Sequence, residues 1–110
     1  MCIRDSTGGG NETITALTSS TAITVDCSLG NVFTVTLAHN TTFTFTNFDT
    51  GQAIAIKIKQ DGAGSKGATF TGVKFAQQNS TLSTTANRID FVSIFNDGID
   101  KLGAINNNYA

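Results

Sequence analysis

The sequence predicts an all-β fold: an antiparallel β-sandwich, jelly-roll-like, of seven to eight short strands. Three observations lead there. From Asn11 onward polar and apolar residues alternate with a period of two, which is the pattern of a half-buried strand. The alternating runs are rich in threonine, valine, isoleucine and phenylalanine, residues that suit a pleated surface. Turn-forming clusters separate the runs at intervals of about 8 to 12 residues, with no helical pattern between them, as in sandwiches and barrels.

Taken in order, NETITAL sets Ile14 and Ala16 against Thr13 and Thr15, a weak strand suited to an edge. TAITVDC gathers Ile23, Val25 and Cys27 on one face, and NVFTVTL gathers Phe33, Val35 and Leu37 opposite Val32, Thr34 and Thr36. TTFTFTN places Phe43 and Phe45 between threonines, and AIAIKIK places Ile54, Ile56 and Ile58 opposite Ala53, Ala55, Lys57 and Lys59. GATFTGVKF reads as a short strand or pair anchored by Phe70 and Phe75. QQNSTLSTTANR is the longest polar connection, with Leu82 tucked onto the core and a turn of helix near 84–88. The segments SLGN, AHNT, DTGQ and QDGAGSKG read as turns between neighbouring strands. In FVSIFNDGIDKLGAI the Asn-Asp-Gly step supplies the φ > 0 positions of a tight hairpin, pairing 90–96 with 100–105.

Shared parity within each strand predicts a core of Phe33, Val35, Leu37, Phe43, Phe45, Ile54, Ile56, Ile58, Val92 and Ile94. Phe91 and Phe95 have the opposite parity to Val92 and Ile94. With Val32 they are apolar residues that a solvated sheet does not need, and they form a candidate subunit interface. The chain contains no proline, a usual guard of edge strands. Lys57, Lys59, Lys74 and Lys101 are placed to serve that role.

Composition narrows the function. The net charge is −1, so no polybasic face invites nucleic acid or anionic lipid. No apolar run approaches the length of a membrane span. There is no Trp and a single Tyr, which leaves a stacking groove for sugars poorly supplied. His39, the sole histidine, sits in the turn AHNT with no nucleophile or acid spaced to work with it. Cys27 shares the apolar parity of its strand and reads as a small buried thiol. Glu12, Asp26, Asp49, Asp61, Asp90, Asp97 and Asp100 lie mostly beside Gly or Asn in turns, where a carboxylate caps backbone N–H groups. Asp90, opening a strand, is the exception; it is expected to partner Arg88 or cap the loop before it. The stretch DGAGS lacks the Lys and helix of a phosphate-binding loop and the alternating Asp of a calcium loop. No catalytic, cofactor-binding or metal-binding residue emerges, and the chain is expected not to be an enzyme and to need no cofactor.

One further observation concerns the order of landmarks: DCSLGNVFTVTLAHNTTFTFTN at 26–47, GQAIAIKIKQDGAGS at 51–65, TLSTTANRIDFVSIFNDG at 81–98 and a closing strand ending near NYA. This order resembles a β-rich domain found at the C-terminal end of phage and prophage tail-fibre and related virion proteins. Relatives often carry Trp after the QDG turn and a proline-bearing loop beyond it; here Phe70 and Phe75 stand in and the proline is missing. The resemblance implies a structural module of the virion, a homo-oligomer and specifically a trimer, with loops available to a host surface glycan; the charge and the lack of a long apolar run add the expectation of no nucleic-acid or membrane partner. The alternative is a bacterial surface or secreted glycan-binding β-sandwich module. The opening MCIRDS breaks the alternating pattern and is similar to a translated sequencing-library adapter. Residues 1–6 are therefore expected not to be native, with 7–20 a Gly/Thr-rich lead-in bearing an edge strand and 21–110 a single sandwich domain.

Overall fold

The computed structural model describes residues 14–75 and 81–109. The adapter-like segment 1–6 and part of the long polar connection lie outside the described residues. Among the described residues nine strands follow in order: β1 (Ile14–Ala16), β2 (Ala22–Asp26), β3 (Val32–Leu37), β4 (Thr41–Thr46), β5 (Ala53–Gln60), β6 (Ala68–Phe70), β7 (Val73–Phe75), β8 (Ile89–Asn96) and β9 (Lys101–Tyr109). They form a six-stranded sheet in the order β1-β3-β5-β8-β9-β7 and a three-stranded sheet in the order β2-β4-β6.

The prediction of an all-β, two-sheet arrangement stands, but the antiparallel jelly-roll does not. The three-stranded sheet is wholly parallel, with Ile23 beside Phe43 and Phe43 beside Phe70. In the larger sheet β1, β3 and β5 are also parallel, Ile14 pairing Val32 and Val32 pairing Ala55. The chain therefore winds as a coil of three rungs (β1 and β2, β3 and β4, β5 and β6), and each rung gives one strand to each sheet. The physical reason is that alternation reports half-burial, not the direction of the neighbouring strand. A connection of a few residues reads alike in sequence whether it turns back within one sheet or arches across to the other. SLGN and AHNT, read as turns between successive strands, are arches of the second kind.

Polar side chains join each arch to the next. Ser19 Oγ accepts the Ala38 N–H at 2.9 Å, and Thr41 Oγ1 donates to the Ser20 carbonyl at 2.7 Å. Asn40 Oδ1 accepts the Gly67 N–H at 2.9 Å. At the opposite edge Gln52 Nε2 donates to the Cys27 carbonyl at 2.8 Å and to Asn31 Oδ1 at 2.9 Å. These contacts satisfy backbone groups that leave the sheet ladders at each corner.

The coil closes with the one predicted hairpin. β5 pairs β8 antiparallel, and β8 pairs β9 antiparallel across the Asn-Asp-Gly turn, with Asn96 opposite Lys101. No helical turn forms at 84–88; Ser83 to Arg88 stays irregular, and Leu82 is buried as expected.

Inward side chains stack in rows across the two layers. Phe33, Ile56 and Val92 form one row of the large sheet, all fully buried. They share one hydrophobic core with Ile23, Phe43 and Phe70 of the small one. Phe43 and Phe70 stack with ring centroids 5.2 Å apart, and Phe70 meets Phe75 at 5.3 Å, tying the sheets together. Every predicted core residue is buried except Phe45, which is half-buried near the end of β4.

Among the described residues three buried polar side chains on inward positions, Thr41, Gln60 and Asn96, were not foreseen. Gln60 and Asn96 share parity with the isoleucines of their strands and turn inward where the apolar rows end. Gln60 Nε2 donates to the carbonyls of Lys66 (2.6 Å) and Ser83 (2.7 Å), while its Oε1 accepts the Lys66 N–H at 3.0 Å. Asp90, also buried, accepts the Ser83 N–H at 2.6 Å, which is the loop-capping role expected of it. Asn96 Nδ2 donates to the Phe48 carbonyl at 2.8 Å.

Ile56 lies at the centre of this packing with no exposed surface. Ile56→Ala is expected to lower unfolding stability by roughly 2 to 5 kcal/mol, read by denaturant titration. A change within about 0.5 kcal/mol, as at a surface site, would place β5 with its other face inward.

Candidate functional site

The three residues marked as a candidate interface, Val32, Phe91 and Phe95, all lie on the outer face of the six-stranded sheet. Strand register arranges that face in rows. The first row holds Ala53, Phe95, Leu102 and Lys74, the second Ile14, Val32, Ala55, Ser93 and Ala104, and the third Ala16, Thr34, Lys57, Phe91 and Asn106. Phe91 and Phe95 are 36% and 43% exposed, whereas Val32 is half-buried beside Ala55.

The structure adds Leu102, 47% exposed, and Ile14, 63% exposed. Leu102 was not singled out from sequence, although the hairpin turn carries the signal: once Asn96 is opposite Lys101, Phe95 must face Leu102. Between Phe95, Leu102, Ser93 and Ala104 lies a shallow trough of about 290 Å³. The outer face of the three-stranded sheet is different in kind, carrying Ala22, Thr24, Thr42, Thr44, Thr46 and Thr69, all exposed.

The groups weighed for chemistry are scattered. His39 is exposed in its arch, its Nδ1 3.0 Å from Ser19 Oγ. Cys27 is buried, and burial first, then the Asp26 charge, pushes its thiol up to about 11. A thiol so raised is a poor nucleophile at neutral pH. In DGAGS, Asp61 Oδ1 accepts the N–H groups of Ala63 (3.1 Å) and Gly64 (3.0 Å). Gly64 has φ +70° and a side chain there would meet the Thr84 carbonyl at 2.5 Å, so this glycine serves a tight loop crossing. Among the described residues no three of His, Cys, Asp and Glu gather as a metal site would require. Among the described residues no helix is long and apolar enough to cross a membrane.

No protein-family model, curated protein or solved structure matches the chain.

Asp26, Asp61 and Asp97 are all held below their ordinary value and make stability depend on pH; two of them show the cause most plainly. Asp26 is held below its ordinary 3.8 by hydrogen bonds from Ser28 Oγ (2.6 Å), Asn47 Nδ2 (2.9 Å) and the Ser28 N–H (3.0 Å). Asp97 is lowered by the N–H groups of Asp100 (2.7 Å) and Ile99 (2.8 Å) in the hairpin turn. A folded pKa below the unfolded one gives stabilisation that is complete above the ordinary carboxylate range and is lost as pH falls through the folded value. The thermal midpoint should therefore fall below about pH 4, and Asp26→Asn should shrink that fall. A midpoint that rises on acidification would contradict these assignments.

Proposed function

We propose that the chain is a non-enzymatic structural module of a phage or prophage tail fibre or related virion protein, assembling with copies of itself. The single observation that carries this reading is the outer face of the six-stranded sheet. It exposes two phenylalanines, a leucine and an isoleucine on one regular surface, whereas the three-stranded sheet's outer strand positions carry mostly threonines. Large exposed apolar residues on one side alone are the mark of a surface that meets another protein. The order of sequence landmarks that resembles phage fibre domains supports the same reading.

Gold-labelled antibody raised against the folded chain, applied to phage particles from the culture or community that supplied the gene, tests the proposal. Label on tails or fibres is expected. Label confined to bacterial surfaces or culture fluid, with particles bare, would overturn it in favour of a glycan-binding module.

A further inference from the structure

Lysines on the edge of a sheet guard it against further pairing, but Lys57 and Lys59 stand on β5, which lies between β3 and β8. They have no edge to guard. Both point to the outer face, since the isoleucines between and beside them are buried. Neither has an ion-pair partner among the described residues, and Lys59 is half-buried. Two ammonium groups on neighbouring outward positions repel each other, the more so where one is partly withdrawn from water. The pair is therefore set for a counter-charge that the described residues do not supply.

A groove of about 330 Å³ runs beside the two lysines, and the length of β1 is its cause. β1 ends at Ala16 and Leu17 leads the chain into its arch, while β3 continues to Leu37 and β5 to Gln60. Ala16 and Leu17 form one wall, Thr34 to Thr36 the floor and the lysines the other wall. In register Thr34 is beside Lys57 and Thr36 beside Lys59. Neither threonine hydroxyl makes a hydrogen bond among the described residues. The backbone of Thr36 is open as well. Asn31 and Leu37 accept from Ala55 and Asp61 on the β5 side, whereas Thr34 accepts from Leu17 on the other. By the alternation of a strand, the Thr36 N–H points to the side that β1 has left. No partner takes it there among the described residues.

Two ammonium groups, two hydroxyls and one amide, all able to donate, thus line a groove that holds no carboxylate. We infer that this groove binds a tetrahedral oxyanion, a phosphate or sulfate group. Such a group is an acceptor with several oxygens and carries the missing charge. A nucleic-acid backbone is not the fit, because holding it takes a longer run of cations than two lysines on a chain of net charge −1. Phe91, opposite Lys57 and 36% exposed, offers an apolar rest for the body of a ligand that carries the group.

Titrating inorganic phosphate, a hexose phosphate and the free hexose into the nitrogen-labelled chain tests the inference through amide shifts. Both phosphates are expected to move Thr36, Lys57 and Lys59 in a saturable way and to raise the thermal midpoint, and the free hexose to do neither. Tighter binding of the hexose phosphate would identify a carried group as the ligand, and equal binding the free ion; either supports the site. The double variant Lys57→Gln with Lys59→Gln should bind more than about tenfold more weakly and lose the rise in midpoint. Thr36→Val should weaken binding too, while Lys101→Gln, on β9, should leave it unchanged. Phosphate shifts that persist in the double variant, that spread over all lysines alike, or that never saturate would overturn the inference.

Discussion

The strands that build the core must each bury one face and only one, and the rest of the structure depends on that constraint. The inward rows Phe33, Ile56 and Val92 on one sheet and Ile23, Phe43 and Phe70 on the other are fully or nearly fully buried. A slip of one residue in any strand would turn its whole row to solvent. Each arch therefore has to deliver the chain to the opposite sheet with the right parity. Leu37 and Thr41, at the two ends of one arch, both point inward.

Parallel winding follows once short arches replace hairpins, because successive strands of the same sheet then run in one direction. The coil needs an end, and the β8–β9 hairpin supplies it by reversing direction against β5. Gln60 and Asp90 hold the two irregular segments that cross that end, through Lys66 and Ser83. A chain that spends its apolar residues on the interior has little reason to expose more. The threonine-rich face of the small sheet obeys that economy and the face bearing Phe91 and Phe95 does not, which is why function is sought on the latter.

The period-two pattern made the strands and their inward faces legible: Phe33, Ile56 and Val92 were placed correctly by parity alone. The Asn-Asp-Gly step made the hairpin legible for a local reason, since its backbone needs are written in the residues of the turn. Strand direction was not legible, because the partner of Ile23 is Phe43, a full rung away, and nothing local to either residue names the other. Gln60 and Asn96 were missed because a polar residue at an inward position looks like the end of a pattern until its hydrogen bonds are seen. Phe91 and Phe95 were legible as surplus apolar residues; Leu102 became visible only through register.

Parallel rungs joined by arches are the central claim, and backbone nuclear Overhauser contacts test it most directly. In a uniformly labelled sample the account predicts amide-to-Hα cross-peaks characteristic of a parallel ladder between Ile23 and Phe43 and between Val25 and Phe45, following the register of β2 on β4. It predicts none of the close Hα–Hα contacts of an antiparallel pair between β3 and β4. Strong Hα–Hα cross-peaks joining Val35 to Phe43 across the arch at 38–40 would mean that these strands form a hairpin, and would contradict the coil.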